Sequence, residues 1–380
     1  MPIMNRWIWE QNNYPHFTYD LQKLEQLIQD VSLEQGYLIA ITQTMDRDNI
    51  AQRQLEALMS EAISTSAIEG EILNRDSVKA SILRKLGFKD VDSYARDIST
   101  DYLIEILIDA NTNYDQNLTL ERLFGWHNAL FPNGYSGLNK INVATFRGEE
   151  EMEVIGGAAG KEQTYYVAPP RANLEYEMDK YLRWFNETPA SLIKACIAHL
   201  WFVIIHPFDD GNGRIGRAIT DLVLSKIERS SVSRLYSMSS AINSDRKGYY
   251  RALELTTGYV RKEHSHLNIT QWCEWFLLTL NSALLETKKK LSYIVQKTMF
   301  WDKYKEYDLN PRQVKVLNKI LDMGCENFQG GLSKKKYMTI ADSASTTASR
   351  DITQLIEIGC IRQIEGTNGR NVRYEIVFEK

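Results

Sequence analysis

At 380 residues the chain is long enough for two or three domains, and a content of 43% hydrophobic and 25% charged residues is ordinary for a globular protein. A net charge of −4 excludes a protein that coats nucleic acid through overall charge, though not a local basic face. Cys196, Cys273, Cys325 and Cys360 are widely spaced without a Cys-x-x-Cys, the start has no signal-peptide pattern, and no apolar run reaches the ~18 residues of a membrane span, so the expectation is a cytoplasmic protein with structural thiols and no membrane partner.

Trp7-Ile8-Trp9-Glu10 and Tyr14-Pro15-His16-Phe17-Thr18-Tyr19-Asp20 gather aromatics around a proline, the composition of an arm packed on a core. Asp20 is placed to cap a helix opening at Leu21, with Leu24, Leu27 and Ile28 at helical spacing. A second helical stretch is predicted over 31–43, ending near Asp46. Residues 50–69 put Leu55, Leu58, Met59, Ala62, Ile63 and Ala67 on one stripe, and Gly70 is suited to a left-handed cap. Glu69 falls at that helix end, where a carboxylate opposes the dipole and calls for a cationic partner such as Arg217. Residues 71–90 read as a continued helix through Val78, Ile82, Leu83 and Leu86 to Gly87. Helices over 92–111 and 118–130 follow, with His127 as a structural residue of the second, and Pro132, Gly134 and Gly137 mark a loop.

From Phe146 to Pro170 the helical period disappears. Glu153-Val154-Ile155 and Thr164-Tyr165-Tyr166-Val167 are short β-type runs joined through a glycine-rich link, which predicts a hairpin with a mobile tip. Residues 192–205 are then apolar almost all round, the mark of a buried helix, which Pro207 stops with His206 at its end.

The next twelve residues carry the chemistry: His206-Pro207-Phe208-Asp209-Asp210-Gly211-Asn212-Gly213-Arg214-Ile215-Gly216-Arg217. A second helix follows, with Ile215, Ala218, Ile219, Leu222, Val223 and Ile227 on one stripe. Gly211 and Gly213 allow backbone N–H groups to approach a ligand, and the helix N-terminus attracts an anion. Arg214 and Arg217 share a face in the first turn, where cations oppose the dipole and a polyphosphate would resolve the conflict. Asp210 suits Mg²⁺, which takes one or two carboxylates plus phosphate oxygens. His206 suits the removal of a proton from an incoming hydroxyl. These parts fit phosphoryl or nucleotidyl transfer.

The spacing resembles the signature of the Fic family, His-x-Phe-x-Asp/Glu-Gly-Asn-Gly-Arg-x-x-Arg, and every specified position is present. The resemblance implies a protein adenylyltransferase that moves AMP from ATP to a tyrosine, serine or threonine hydroxyl of a target protein, its own chain included. By the same resemblance His206 is the general base, Phe208 anchors the loop, and Asp210 rather than Asp209 binds Mg²⁺. Gly211, Asn212 and Gly213 line the anion hole, and Arg214 and Arg217 hold the distal phosphates. Ser64-Thr65-Ser66-Ala67-Ile68-Glu69-Gly70 resembles the family's inhibitory motif, Ser/Thr-x-x-x-Glu-Gly/Asn, which implies autoinhibition through Thr65, Glu69 and Gly70. The hairpin resembles the family's target-clamping flap, here Val154, Ile155, Tyr165 and Tyr166, and Tyr249 and Tyr250 fall where paired tyrosines lie near the nucleotide base.

His264 and His266 lack a third ligand nearby and read as surface residues. Residues 270–304 form one or two long helices. After Asn310-Pro311 three helices, over 312–323, 334–341 and 346–358, precede two strand-like runs, 360–364 and 372–377. That is the pattern of a winged helix-turn-helix domain, with Thr346, Thr347, Ser349 and Arg350 opening its recognition helix. From Gly331 to Lys380 eight Lys/Arg stand against six Asp/Glu, a modest excess that leaves DNA and protein partners both open.

The expected architecture is mainly α, a Fic-type helical bundle with a β-hairpin flap and a C-terminal winged helix. Its parts are an N-terminal helical domain over 1–90 carrying the inhibitory helix, a catalytic core over 91–304 and the winged helix over 305–380. A homodimer is compatible with it. The alternatives are a DNA-binding regulator whose core senses nucleotide, and an enzyme of the same family that uses another nucleotide or removes AMP.

Overall fold

The computed structural model describes residues 7–43, 45, 47–86, 97–156, 163–229, 235–258, 267–323, 328 and 330–377. The tip of the predicted hairpin, His264 and His266, Cys325, and the helix ends placed at Asp46, Gly87 and residue 92 lie outside them. The chain divides into two compact units, Met1–Leu285 and Glu286–Lys380.

In the first unit α1 (Leu21–Thr42) runs unbroken where the sequence predicts two helices. Asp20 caps it by accepting the N–H groups of Gln22 and Lys23, and Leu24, Val31, Gln35 and Leu38 are its buried residues. α2 (Arg47–Ile68) packs on α3 (Arg75–Lys85) and α9 (Met238–Ser244). Its buried Glu61 accepts hydrogen bonds from the hydroxyls of Ser237 and Ser239 and from the Ser239 N–H, at the N-terminus of α9. The predicted continuous helix over 71–90 is a misreading. Residues 71–74 are not helical, because the Asn74 side chain caps a new helix by accepting from the N–H groups of Asp76 and Ser77.

α4 (Ile98–Thr112) and α5 (Leu120–Leu130) follow, and the loop after α5 closes into a short pair, β1 (Tyr135–Ser136) and β2 (Asn139–Lys140). The predicted hairpin is β3 (Glu153–Gly156) against β4 (Gln163–Val167), antiparallel, with Val154 opposite Tyr166 and Ile155 opposite Thr164. The N-terminal arm packs beside it: Trp7 meets Tyr166 edge to face at 5.6 Å, and the Trp9 indole donates to the Val167 carbonyl at 2.7 Å.

α6 (Leu174–Glu187) leads into α7 (Leu192–Ile205) and α8 (Asn212–Glu228). α8 packs against α7, α4, α2 and α5. It is therefore buried nearly all round, including Arg214, Arg217 and Asp221, rather than along one stripe. α10 (Arg246–Thr257) and the long α11 (Thr270–Tyr304) as far as Leu285 complete the unit's elements.

The second unit takes the last turns of α11, then α12 (Pro311–Met323), α13 (Lys334–Ala341), α14 (Ser345–Ile358) and the antiparallel pair β5 (Ile361–Gln363) and β6 (Tyr374–Ile376). The break in contacts lies inside α11, before Asn310-Pro311, because Phe300 and Tyr304 belong to the core formed with Val316, Leu317, Tyr337 and Leu355. Buried Asp351 ties this unit together by accepting from Arg312, Asn310 and the Tyr337 hydroxyl. Cys196, Cys273 and Cys360 are buried free thiols. Among the described residues no helix is long and apolar enough to cross a membrane.

Candidate active site

His206 ends α7 in a left-handed conformation, φ 50° and ψ 59°. For a non-glycine residue this costs on the order of 1–3 kcal/mol, so the surroundings must hold it. They do so through the main chain: its N–H donates to the Phe202 carbonyl at 3.0 Å, and its carbonyl accepts from Arg147 Nε at 2.9 Å. The imidazole Nδ1 lies 3.2 Å from the Val203 carbonyl. A carbonyl only accepts, so this contact assigns the proton to Nδ1 and leaves Nε2 with a lone pair. Burial lowers the His206 pKa to about 4, with the Arg147 guanidinium pushing the same way. The ring is therefore neutral at physiological pH and carries a free acceptor.

The loop behind it is fixed from several sides. Phe208 is fully buried, stacked on the His127 ring at 4.2 Å, with Phe124 edge to face and Phe202 tilted against it. The Asn212 side chain bonds Phe208 twice, accepting from its N–H at 3.0 Å and donating to its carbonyl at 2.8 Å. Asp209 accepts from the N–H of Asn142 at 2.7 Å and of Gly148 at 3.2 Å. His127 accepts the Ala144 N–H at Nδ1 and so donates from Nε2 to the Asp210 carbonyl at 3.2 Å. Gly211 sits at φ 83°, and a Cβ there would lie 2.9 Å from the Phe131 ring, so glycine is required on both counts.

The residue at the start of α8, Gly211, has no side chain with which to cap it. The carboxylate of Glu69 lies over this N-terminus, since a Cβ on Gly213 would meet its Oε1 at 2.3 Å. Glu69 also binds Arg217, Nη2 to Oε1 at 2.7 Å. Thr65 holds the same guanidinium, its hydroxyl accepting from Nε at 2.7 Å and its carbonyl from Nη2 at 3.0 Å. Burial works against the charge on Arg217, but Glu69, Tyr249 and Tyr250 together outweigh it and raise the pKa. Arg214 lies over the face of Phe131, 5.1 Å from the ring centroid, and donates from Nη1 to both oxygens of Glu71, at 3.0 and 2.9 Å.

A cavity of about 680 Å³ opens here, lined by Glu69, Val154, Tyr165, His206, Asp210 and Gly213 among others. Tyr249 and Tyr250 line it as well. Tyr249 is buried, its hydroxyl 3.0 Å from His199 Nε2. Thr220 donates to the Gly216 carbonyl and lies 2.9 Å from His199 Nδ1, so it accepts the Nδ1 proton, and Tyr249 donates to Nε2. Tyr250 donates to the Ile68 carbonyl at 3.3 Å, which joins the cavity wall to the end of α2. Tyr166 lines the cavity but is 5% exposed and donates to the Ile204 carbonyl at 2.7 Å, so it anchors the hairpin base to α7. Ile155 takes its place on β3 opposite Thr164.

Asp210 accepts from the Ser136 hydroxyl and from the Gly211 N–H. Among the described residues no group of three or more His, Cys, Asp or Glu side chains is arranged to hold a metal. One carboxylate at the start of a helix nevertheless fits Mg²⁺, which would complete its shell with phosphate oxygens and water.

Sequence reasoning missed Arg147 and Glu71. Arg147 is 2% exposed and, besides the His206 carbonyl, donates to the Pro169 carbonyl, while its own N–H donates to the Pro207 carbonyl at 2.9 Å. It therefore fastens both ends of the hairpin segment to the loop. Contacts to main-chain carbonyls leave no spacing pattern, so no signal in the sequence marks it. Glu71 carried one: an acid beside a capping glycine, two positions from Glu69.

Residues 117–224 match the Fic/DOC family, and residues 7–88 match a domain of unknown function, DUF4172. The chain thus carries a Fic/DOC family domain that spans α5 to α8. It is similar to the protein adenylyltransferase Fic of Drosophila yakuba, 35% identical over 80 residues, which are 19% of this chain and 16% of that protein. It is also similar to the protein adenylyltransferase Fic of Aedes aegypti, 22% identical over 194 residues, 49% of this chain and 36% of that protein. The matches therefore span about a sixth and about a third of these relatives. A crystal structure of a Fic family protein from Desulfovibrio desulfuricans G20 shares the fold, with a TM-score of 0.51 at 19% identity over 93% of this chain and 97% of that one.

Proposed function

We propose that the chain is an autoinhibited protein adenylyltransferase, moving AMP from ATP to a hydroxyl of a target protein. The observation that carries this reading is one cavity lined by a neutral His206 and by Gly211, Asn212 and Gly213 at the start of α8, with Glu69 in its wall bound to Arg217 and with Arg214 on the same helix. The target hydroxyl oxygen attacks the α-phosphorus, the bond from that phosphorus to the bridging oxygen breaks, and pyrophosphate leaves. His206 Nε2 takes the hydroxyl proton. The α8 N–H groups and Arg214 and Arg217 hold the phosphates, the cavity wall around Tyr249 and Tyr250 holds the base, and Mg²⁺ at Asp210 neutralises phosphate charge when bound. The hairpin offers a strand edge to the target chain, since β3 and β4 pair only with each other among the described strands. The C-terminal unit, read as a winged helix with Thr346 and Arg350 exposed on α14, selects the partner.

The test is incubation with ATP labelled on the α- or the γ-phosphate, using a Glu69→Gly chain and a cell lysate. Label from the α-position alone is expected on protein. Label from the γ-position would replace this reading by phosphoryl transfer, and no label with intact nucleotide binding would favour a nucleotide sensor.

The two aspartates of the loop separate cleanly. Asp210→Ala is expected to abolish Mg²⁺-dependent labelling while the fold stays intact. Asp209→Ala strips the acceptor from two main-chain N–H groups and is expected to destabilise the chain by on the order of 1–3 kcal/mol. Labelling and thermal unfolding measured side by side decide it, and a stable, inactive Asp209→Ala beside an active Asp210→Ala would reverse the assignment.

A further inference from the structure

We infer that Glu71 is a second latch, which occupies Arg214 as Glu69 occupies Arg217, so that the end of α2 engages both arginines of the site at once. This rests on the nucleotide reading above and adds a second point of control to it. The contact is specific: Arg214 is 7% exposed, and Nη1 donates to both carboxylate oxygens of Glu71. Neither arginine is fully satisfied by its present partner. Nε of Arg214 and Nη1 of Arg217 are buried with no hydrogen-bond partner among the described residues. A guanidinium has five N–H donors, and a buried donor left unused is unfavourable. A diphosphate or triphosphate brings more acceptor oxygens than one carboxylate and would fill these places.

The local fold explains why the two carboxylates arrive together. α2 ends in a doubly closed turn: the Gly70 N–H bonds the Ala67 carbonyl and the Glu71 N–H bonds the Ser66 carbonyl, each at 3.0 Å, with Gly70 at φ 88°. Glu69 and Glu71 flank that glycine, and the turn directs them to two arginines three residues apart on α8. Two negative charges therefore meet two positive ones at the positive end of a helix. When the end of α2 withdraws, both arginines are uncovered together, and an anion relieves the excess positive potential.

The two latches differ in exposure. The side chains of Arg217 and Glu69 are 2% and 29% exposed, those of Arg214 and Glu71 7% and 49%. The Glu71 contact is the more open to solvent, so salt weakens it more.

The experiment is titration of ATP, ADP and AMP into the full chain as wild type, Glu71→Gln, Glu69→Gly and the double variant, between roughly 0.05 and 0.5 M salt. Glu71→Gln is expected to tighten ADP and ATP by about 5-fold or more at low salt, the lower end of a typical coupling between sites. AMP affinity stays unchanged, the gain persists in the Glu69→Gly background, and it shrinks at high salt. Equal affinities for wild type and Glu71→Gln overturn the latch, as does an equal gain for AMP, which would mean that Glu71 merely crowds the cavity. If Glu69→Gly binds ATP and Glu71→Gln matches wild type, the latch alone falls. If no variant binds any of the three nucleotides, the nucleotide reading falls and takes the latch with it.

Discussion

Glu69→Gly is expected to raise self-labelling from α-labelled ATP by about 5–150-fold or more, the range of a coupling of roughly 1–3 kcal/mol. Glu69 occupies two things that a triphosphate needs, the space over Gly213 at the start of α8 and Nη2 of Arg217. Glu69 takes one Arg217 donor, Nη2, and a phosphate oxygen at that place needs the same N–H, so the two contacts compete. ATP bound beside Glu69 would have its phosphates displaced, and a misplacement of about 1 Å costs ~10²-fold. Thr65→Ala is expected to activate less. It removes the hydroxyl that accepts from Arg217 Nε but leaves the Thr65 carbonyl and Glu69 in place. Arg217→Ala is expected to be inactive even with Glu69→Gly, because the phosphate contact itself is gone. Labelling by the three variants and wild type, each shown to be equally folded, decides the matter. A Glu69→Gly chain no faster than wild type would leave Glu69 as a structural ion pair.

The loop from His206 to Arg217 was legible because its pattern is local. The histidine, both aspartates, the glycines and both arginines fall within twelve residues, and the flanking apolar pattern marks two packed helices. Glu69 was legible for another reason, a carboxylate placed against the dipole at a helix end beside a capping glycine. What escaped depends on the distant chain. Arg147 binds carbonyls of Pro169 and His206, and Glu71 finds its partner 143 residues away. The hairpin's alternation places Tyr165 and Tyr166 on a strand, but only the packed fold distinguishes the half-buried Tyr165 from Tyr166, which spends its hydroxyl on Ile204. The misread helix at 71–90 is a different matter. Asn74 followed by Arg75 and Asp76 is a cap signal, and the apolar stripe beyond it hid the break. At the other end the sequence reading starts the last domain at residue 305, but membership of a core is not local, and Phe300 and Tyr304 of α11 join the core of the C-terminal unit.

His206→Ala is expected to keep ATP binding and to lose ~10²–10⁴ of the transfer rate, the usual contribution of a positioned general base. The geometry makes the pH dependence of the parent a sharper test. A general base must be neutral, and its rate falls as pH drops through its pKa. A histidine at its ordinary value near 6.5 would lose half its activity there. Burial holds His206 down at about 4 instead. In the Glu69→Gly background the pKa drops further still, because Glu69 is one of the groups that raise it. Single-turnover labelling by Glu69→Gly is therefore expected to be flat from about pH 5 to 8. Folding sets the lower limit of that range. The pKa of His206 is depressed to about 4, that of His127 to about 4 and that of His199 to about 3, each chiefly by burial. Below pH ~6.5 the unfolded chain binds protons that the folded one refuses, so stability falls as the pH falls. Near-ultraviolet circular dichroism at each pH separates unfolding from loss of chemistry. An acid limb near 6.5 in a folded protein, or near-normal transfer by His206→Ala, would remove His206 from the role of base.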